Sequence, residues 1–208
     1  MPRRVAAPEY DWKQLSRPLV GRIVRLEAIT PGHEPGLWEA AQNDRIWQAT
    51  NLLIRTREDF ALWMDDALGE QERRAAVPFA TIDAATGRVL GSTRYGSLRP
   101  EHRSLEIGWT WLTPDAWGTG ANVEAKLLML TRAFEELGCM RVEFKTNARN
   151  ERSRAALAAL PAQFEGIHRK HMVVRDGELR DSAWYSIVED EWPAVKANLD
   201  RRLATIEM

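Results

Sequence analysis

The chain has 208 residues, of which 44% are hydrophobic and 28% are charged. These fractions are typical of soluble globular proteins and exclude fibrous, collagen-like and wholly disordered classes, and the length suits one domain with a substantial core. The 29 basic residues are balanced by 30 acidic ones, so no net positive field exists to hold nucleic acid by counterion release. We therefore expect no nucleic-acid partner.

The sequence also indicates a compartment. No apolar run approaches the roughly 18 residues that span a bilayer, and the segment after Arg3-Arg4 is too short and too polar for a signal-peptide core. The single cysteine, Cys139, excludes an intrachain disulfide and a multi-cysteine metal site, which fits a reducing compartment. These features predict a cytoplasmic protein without a membrane partner.

The first third of the chain predicts an arm, one strand and two helices. Alternation of polar and apolar residues indicates the strand, and Thr56 followed by Asp59 is a capping-box-like helix start. Residues 18–208 are expected to form a single domain after the arm. The predicted elements are an N-terminal arm 1–17 that packs by Tyr10 and Trp12, a strand Leu19–Ile29, a helix within Glu34–Ala49 and a helix Arg57–Leu68.

The remainder predicts a three-stranded meander, then helices alternating with strands. An apolar stripe at spacings of three and four residues indicates a helix from Val123 to Leu137, and Gly138 suits its C′ position. The other elements are strands Ala75–Asp83, Val89–Tyr95, Ser104–Leu112 and Arg141–Thr146, a helix Glu151–Leu160 capped by Asn150, a hairpin Phe164–Val174 and Ser182–Val188 turning at Asp176-Gly177, and a helix Trp192–Leu203. This order predicts one mixed α/β (α+β) domain.

The most informative segment is the small-residue loop between a strand end and a helix start, Leu112–Asn122. Unshielded N–H groups at a helix N-terminus bind anions, and Gly118 and Gly120 would let a phosphate approach the backbone. An ordinary strand-to-helix turn is the alternative. The Walker A pattern is absent, and Val123 stands where the dinucleotide fingerprint needs a small residue.

Two motifs resemble the GNAT superfamily of N-acetyltransferases, in its ribosomal-protein N-terminal acetyltransferase-like (RimJ/RimL-like) branch. Trp117–Asn122 aligns with the family's Gln/Arg-x-x-Gly-x-Gly/Ala pyrophosphate loop, and Asn150–Ser153 aligns with its Asn-x-x-Ser helix start. The resemblance covers nearly the whole chain. Trp117 replaces the initial Gln or Arg of the family, and Asn122 replaces the final small residue.

The resemblance implies a GNAT fold, with a mixed, mostly antiparallel sheet of about seven strands that splays between the fourth and fifth. It implies acetyl-CoA as co-substrate and a primary amine as acceptor, with direct transfer between them. Pantetheine would pair with a strand edge by strand addition. The cofactor-binding residues it implies are Trp111, Leu112, Thr113, Trp117, Gly118, Thr119, Gly120, Ala121, Asn122, Asn150, Ser153 and Arg154.

Glu106 is the candidate general base. An ammonium with a pKa near 10.4 cannot attack a thioester until it loses its proton. The strand pattern predicts that the face carrying Glu106 leads to the pantetheine edge. The carboxylate would then take the proton of the amine either by direct contact or through a water molecule. The alternative is a structural glutamate paired with Arg94 or Arg103. The predicted common face comprises Glu106, Gly108, Thr110 and Leu112.

The proton donor for the leaving thiolate is open, because Leu157 stands where many superfamily members place a tyrosine. Ser153 and Tyr185 are the two candidates, although Asn150 and Ser153 could simply cap a helix and Tyr185 could be a packed aromatic. A thiolate with a pKa of about 8.5 also departs without assistance, and we favour this route with Ser153 as a hydrogen-bond donor.

Other reactive residues receive structural interpretations. Cys139 is expected to be packed and inert, and His168 and His171 are expected on opposite strand faces, so that no metal site forms. Trp38, Trp47 and Trp63 are expected in the core, with one of them near the acceptor. Arginines 149, 152 and 154 are either a solvated helix face or a clamp for the 3′-phosphate of CoA.

The leading hypothesis is therefore an acetyl-CoA-dependent N-acetyltransferase acting on a protein N-terminus or a small-molecule amine. A GNAT-fold sensor or scaffold that binds acyl-CoA without turnover is the alternative, because the usual tyrosine and the loop Gln or Arg are absent. A nucleic-acid binder using basic residues 149–154 and 168–171 is disfavoured by the charge balance. The sequence does not name the acceptor, and it leaves a homodimer open.

Overall fold

The computed structural model describes residues 9–48, 50, 52–174 and 177–206. The strands are β1 Leu19–Val20, β2 Val24–Ala28, β3 Val77–Asp83, β4 Val89–Arg99, β5 Ser104–Leu112, β6 Arg141–Asn147, β7 Gln163–Val173 and β8 Leu179–Val188. The helices are α1 Trp12–Ser16, α2 Glu34–Ala40, α3 Arg57–Glu72, α4 Ala121–Thr131, α5 Glu151–Ala159 and α6 Trp192–Ile206. No helix in these ranges is long and apolar enough to cross a membrane.

All eight strands form one sheet in the order β1-β2-β3-β4-β5-β6-β8-β7. Every neighbouring pair is antiparallel except β5 and β6, which run parallel. The predicted mixed, mostly antiparallel sheet is thus confirmed, with eight strands instead of seven. The increase arises because the predicted first strand is divided.

The prediction of a continuous strand Leu19–Ile29 is wrong, because the chain turns between β1 and β2. A Cβ atom on Gly21 would lie 2.4 Å from the carboxylate of Glu124, so this position has no room for a side chain. That buried carboxylate accepts the backbone N–H groups of residues 22–24 at 2.7 to 2.9 Å. A charge on α4, a hundred residues away in sequence, therefore holds the turn.

The two early helices differ in how well the sequence predicts them. The capping box of Thr56 and Asp59 is confirmed, and α3 buries the predicted face that includes Phe60 and Trp63. The helix predicted within Glu34–Ala49 ends early, at Ala40. A short 3₁₀ turn follows it, and residue 49 lies outside the described residues.

Helix α4 packs differently from the prediction. Its fully buried positions include Ala121, Ala125 and Met129, spaced four apart, while the predicted apolar stripe from Val123 to Leu137 is largely half-buried. Small side chains let the helix lie close to the sheet. The stripe packs against the edge of the same core, in which Leu130 is fully buried, and Phe134 stacks on Trp192 of α6 with ring centroids 5.4 Å apart.

Later elements follow the prediction closely. Asn150 caps α5. The helix predicted to reach Leu137 is α-helical only to Thr131 and continues as a π-helical turn, Arg132–Glu136, after which Gly138 has the expected left-handed φ of +66°. The β7–β8 hairpin forms with Gly177 at φ +74°, while the predicted turn residue Asp176 lies outside the described residues. In the arm, the hydroxyl of Tyr10 donates a hydrogen bond to the carbonyl of Ser104 at 3.2 Å.

Candidate active site

Strands β5 and β6 separate after a short parallel contact. They pair only along Ser104–Glu106, opposite Arg141–Glu143. Beyond Glu106 the two strands diverge, and a cavity of about 390 Å³ lies in the opening. This divergence is the predicted splay between the fourth and fifth strands, which are β5 and β6 once the divided first strand is counted.

A β-bulge in β5 changes the faces of the strand beside this opening. Trp109 has φ +51°, and the residue pairs Ser92–Trp111 and Arg94–Gly108 show that β5 carries one extra residue. The prediction of one face for Glu106, Gly108, Thr110 and Leu112 is therefore wrong after Gly108. Thr110 turns to the α4 side, where its hydroxyl lies 2.8 Å from that of Thr93.

The carboxylate of Glu106 lies at the point where β5 and β6 begin to separate. The residue is only 2% exposed and lines the cavity. Its carboxylate accepts hydrogen bonds from Nζ of Lys145 at 3.2 Å and from Oγ of Ser97 at 3.0 Å. A buried carboxylate with a charged partner and a position on the cavity wall can accept a proton from a bound amine.

The expected structural partners of Glu106 do not bind it. Arg94 forms ion pairs with Asp66 and Glu70 of α3, at 3.2 and 2.6 Å. Arg103 donates to the carbonyl of Gly138 at the other end of β5. The alternative of a glutamate paired with Arg94 or Arg103 is therefore wrong, and Lys145 is the observed partner.

Two indole rings enclose the Lys145 ammonium. Its nitrogen lies 5.7 Å from the ring centroid of Trp109 and 5.2 Å from that of Trp184. Aromatic faces attract cations at such distances. The positive φ of Trp109 at the bulge thus places an aromatic wall beside Glu106.

The two histidines of β7 lie on the same face, contrary to the prediction. Their rings are 5.6 Å apart, and both contact the Trp184 ring. A register shift between His168 and Met172, with Lys170 at φ +49°, reverses the strand alternation there. Across the described ranges, no three His, Cys, Asp or Glu side chains are grouped so that they could hold a metal ion.

The glycine loop and the start of α4 form the other end of the cavity. Gly118 has φ +80°, and a Cβ atom there would meet no other atom within 4 Å. Gly120 is the N-cap of α4 and supplies no side chain to the first-turn N–H groups. Asn122 lines the cavity, and its buried Oδ1 atom has no hydrogen-bond partner among the described residues. The open position at Gly118 and the uncapped N-terminus of α4 suit an anionic ligand, whereas the Asn122 Oδ1 atom can only accept a hydrogen bond from a donor group.

The Trp117 ring in the loop contacts two guanidinium groups. Its indole N–H donates to the carbonyl of Leu112 at 2.9 Å. The guanidinium of Arg152 lies 3.9 Å from the Trp117 ring and that of Arg45 lies 5.1 Å from it. Burial, and then the charge of Arg45, lower the pKa of Arg152. Arginine thus remains near the loop, although Trp117 stands at the Gln or Arg position.

The start of α5 forms one wall of the cavity. The Oδ1 atom of Asn150 accepts the backbone N–H of Ser153 at 3.0 Å, so the capping role is real. Asn150, Ser153 and Leu157 all line the cavity. Tyr185 does not line it, and its hydroxyl accepts a hydrogen bond from Nε of Arg154 at 3.1 Å.

The structure divides the predicted site residues into two groups. Those that line the cavity are Glu106, Trp111, Leu112, Trp117, Gly118, Asn122, Asn150 and Ser153. Those that do not line it are Thr113, Thr119, Gly120, Ala121, Arg154 and Tyr185. Of the three arginines considered for a phosphate clamp, only Arg152 lines the cavity; Arg149 is exposed beside Glu178.

Sequence reasoning missed several cationic residues of the cavity, among them Lys126, Lys145 and Arg180. Burial lowers the pKa of Lys126 to about 7, and its Nζ donates to the hydroxyls of Thr110 and Thr93 at 2.9 and 3.3 Å. A lysine within the hydrophobic helix pattern was the available signal for Lys126. No local pattern marks Lys145 or Arg180.

The prediction that the tryptophans near the start of the chain pack in the core is confirmed for Trp47 and Trp63. Trp47 and Trp63 are buried and pack on Trp111, with ring centroids 5.3 and 5.6 Å apart, and Trp47 also lines the cavity. Cys139 is buried away from the cavity, close to the Tyr10 hydroxyl, and burial raises the pKa of its thiol.

Among curated proteins, the chain is similar to two from Bacillus subtilis (strain 168). It is 32% identical over 110 residues to the "Putative ribosomal N-acetyltransferase YdaF" and 30% identical over 104 residues to the "Uncharacterized N-acetyltransferase YoaA". The matches cover 53% and 50% of this chain. They span 59% and 58% of the relatives, which is less than two thirds of each.

Solved structures resemble the chain over more of its length. A GCN5-related N-acetyltransferase from Brucella melitensis is 32% identical, with a TM-score of 0.83 over 94% of this chain and 86% of that one. A "putative acetyltransferase" from T. thermophilus is 38% identical, with a TM-score of 0.81 over 89% of this chain and 96% of that one. Residues 24–162, well over half of the chain, match the family described as "Acetyltransferase (GNAT) domain". The chain belongs to this GNAT acetyltransferase family.

Proposed function

We propose that this protein transfers an acetyl group from acetyl-CoA directly to a primary amine. The observation that carries the proposal is one cavity that joins the glycine loop at the α4 N-terminus to the buried carboxylate of Glu106. An anion-binding end and a proton-accepting end in one opening suit a CoA thioester and an amine.

We assign the CoA pyrophosphate to the backbone N–H groups of residues 118–122. The open space at Gly118 and the α4 N-terminus, where Gly120 supplies no capping side chain, support this placement. Arg152 lies close enough to contribute positive charge, which a phosphate group requires. Thr119, Gly120 and Ala121 would contribute through their backbone alone.

The pantetheine arm is assigned to the strand edge at Trp111 and Leu112. The N–H of Thr113 donates to the carbonyl of Leu90 at 2.8 Å, so Thr113 has no N–H to offer a ligand. When bound, acetyl-CoA supplies an activated acetyl thioester. Asn150 and Ser153 would contact the same arm from α5, and Arg154 would act only indirectly, by holding Tyr185.

Glu106 is the proposed general base. It takes the proton of the acceptor ammonium, either directly or through a water molecule, and the freed nitrogen lone pair forms the new N–C bond. The Lys145 ammonium balances the carboxylate charge before the transfer. The C–S bond then breaks and its electron pair leaves on sulfur, while the excess proton on the newly bonded nitrogen passes to the thiolate, directly or through water, so that a neutral amide and the CoA thiol remain.

In this proposal the CoA thiolate departs without a dedicated general acid. Ser153 lines the cavity and can donate a hydrogen bond, whereas Tyr185 is engaged with Arg154 outside the lining. Lys126 lies on the α4 side, and because burial lowers its pKa to about 7, it is only partly protonated near neutral pH. We therefore favour unassisted or water-assisted departure, with Ser153 as donor.

We propose two acceptor classes. The name of YdaF points to ribosomal proteins, so a RimJ/RimL-like protein N-terminus is one acceptor, and a small-molecule amine is the other. A cytoplasmic location and a homodimer are compatible with either acceptor.

The test is an amine panel with acetyl-CoA, read as release of the CoA thiol. The panel should include N-terminal peptides, amino acids and polyamines. The proposal predicts acceptor-dependent thiol release that saturates with both substrates. Tight acetyl-CoA binding with no thiol release for any amine would favour the non-catalytic acyl-CoA sensor instead.

A further inference from the structure

Arg180 differs from the other buried cations of the protein. It lies on β8, is only 6% exposed and lines the cavity together with Glu106 and Lys145. Its buried Nε atom has no hydrogen-bond partner, and within the described part of the chain no carboxylate lies within 4 Å of its guanidinium. The guanidinium is therefore uncompensated at close range.

The other buried cations all have hydrogen-bond partners. Arg94 binds two carboxylates of α3, Arg132 donates to backbone carbonyls, and Lys126 donates to two threonine hydroxyls. The half-buried Lys145 binds Glu106. Burial lowers the pKa of Arg180, while the negative charge of Glu106 acts in the opposite direction. An unpaired buried charge is strongly unfavourable, so a ligand anion that fills this place would gain correspondingly.

We propose that Arg180 binds an anionic group of the acceptor, so that the acceptor is a small amine that also carries a carboxylate or a phosphate. The inference rests on the proposed acetyltransferase function. Glu106 would receive the ammonium end and Arg180 the anionic end, within one cavity. A guanidinium fork binds two oxygens of a carboxylate or phosphate at once, which a lysine cannot do.

Charge complementarity supports a small zwitterionic acceptor. Glu106 is balanced by Lys145, which leaves the Arg180 charge as a net positive contribution in this part of the cavity. Both Glu106 and Arg180 are more than nine-tenths buried, so the two charged ends of the acceptor must both enter the cavity. A short molecule with both charges meets this requirement.

The test compares amines in matched pairs under saturating acetyl-CoA. Suitable pairs are glycine with glycinamide, γ-aminobutyrate with its amide, and phosphoethanolamine with ethanolamine. The inference predicts that kcat/KM for at least one anionic member exceeds that of its neutral partner by about 10- to 100-fold, the effect of one charge-assisted contact. The carboxylate and phosphate pairs distinguish the two anions.

Arg180→Gln should reduce this preference ratio toward one, and Arg180→Lys should retain part of it. Arg201→Gln is the matched control, because Arg201 is exposed on α6 outside the cavity, and it should keep the full ratio. A wild-type ratio near one for every pair would overturn the inference without any variant. A preference for acidic N-terminal peptides over all small anionic amines would overturn the small-molecule assignment.

A binding measurement separates this inference from the proposed function. N-acetylglycine and N-acetylglycinamide serve as turnover-independent probes, measured by calorimetry. Arg180-dependent preference for N-acetylglycine, with no turnover of any amine, would support the anion site and contradict the acetyltransferase proposal. Turnover of amines with equal binding of the two probes would support the enzyme and contradict the anion site.

Discussion

At the scale of single residues, Glu106 carries the proposed chemistry. Replacing it by glutamine removes the proton acceptor but keeps the shape and the contact with Ser97. We expect Glu106→Gln to lower kcat by about 100- to 10,000-fold and to leave CoA affinity nearly unchanged. Initial rates across the pH range, with calorimetry of CoA binding, provide the measurement.

The control for this variant is Glu101→Gln, which removes an exposed carboxylate from the turn before β5. It should retain full activity. If Glu106→Gln also keeps its full rate at every pH, Glu106 is not the base.

Lys126 makes folding stability depend on pH. Its pKa falls from 10.5 to about 7 on folding, so between these values the unfolded chain binds more protons than the native one. The free energy of unfolding should therefore rise with pH in this window by up to about 1.4 kcal/mol per pH unit, and the full cost of burying the charge applies below pH 7. Lys126→Met should remove this rise and add about 2 to 5 kcal/mol of stability at low pH.

Urea unfolding at several pH values between about 6 and 10 measures the effect. Lys13→Met, at an exposed position of α1, is the control and should leave the slope unchanged. Equal pH slopes for the wild type and Lys126→Met would contradict the assigned burial of a chargeable amine.

At the scale of elements, the loop before α4 can be tested by filling its open space. Gly118→Val places a side chain where the pyrophosphate is proposed to lie, and we expect CoA affinity to fall at least about 10-fold. Gly177→Val is the matched control, because Gly177 has a similar φ of +74° and equally open space, in the β7–β8 turn. Calorimetry with CoA reports both.

Backbone strain alone would lower the folding stability of the two variants to a similar extent, because the two glycines have similar φ angles. Similar CoA affinity in Gly118→Val and Gly177→Val would count against the loop placement. Gly120 is less suitable for substitution, since a Cβ atom there would lie 2.9 Å from Ile23 and 3.1 Å from Ile206. A variant at Gly120 would therefore also displace the side chains of Ile23 and Ile206.

The contact between α4 and the β1–β2 turn depends on Glu124. Its carboxylate accepts three backbone N–H groups, and a glutamine would offer one oxygen and bring an N–H₂ group against the remaining donors. We expect Glu124→Gln to lower the free energy of unfolding by about 2 to 3 kcal/mol. Urea unfolding measures this loss, and a change below about 0.5 kcal/mol would contradict the assigned contact.

Elements with local signals could be predicted from the sequence, and those shaped by distant contacts could not. The capping box at Thr56 and the cap at Asn150 involve neighbours in sequence, and both are observed. The bulges at Trp109 and Lys170 depend on registers with partner strands. One extra residue in β5 reverses every later side chain, which explains the wrong face for Thr110. In β7, two extra residues between His168 and Met172, with Lys170 at a positive φ, interrupt the alternation around His171.

The candidate site shows the same division. Motif resemblance led to Gly118, Asn122 and Ser153, because the loop and helix starts are contiguous segments. Lys145 and Arg180 became apparent only when β6 and β8 were placed beside Glu106. Pairing between strands that are distant in sequence brings these residues together, and the local periodicity of the sequence does not predict that pairing.

At the scale of the whole molecule, the cavity connects the two sides of the sheet. Adjacent residues Trp111 and Leu112 belong to different hydrophobic clusters, one under α3 and one under α4. The cavity is lined from both sides, by Trp47 of the first cluster and by Leu157 and Leu160 of the second. Two substrates entering from opposite sides could therefore meet at Glu106, as direct transfer requires.

Direct transfer from acetyl-CoA to an amine is the central claim, and an isotope experiment tests it most directly. Acetyl-CoA labelled in its acetyl group is incubated with the protein and an accepted amine, and the label is located by mass spectrometry. The account predicts label on the amine nitrogen, in amounts equal to the CoA released, and none on the protein. Label retained on the protein, at Cys139 or elsewhere, or bound acetyl-CoA with no labelled amine would contradict it.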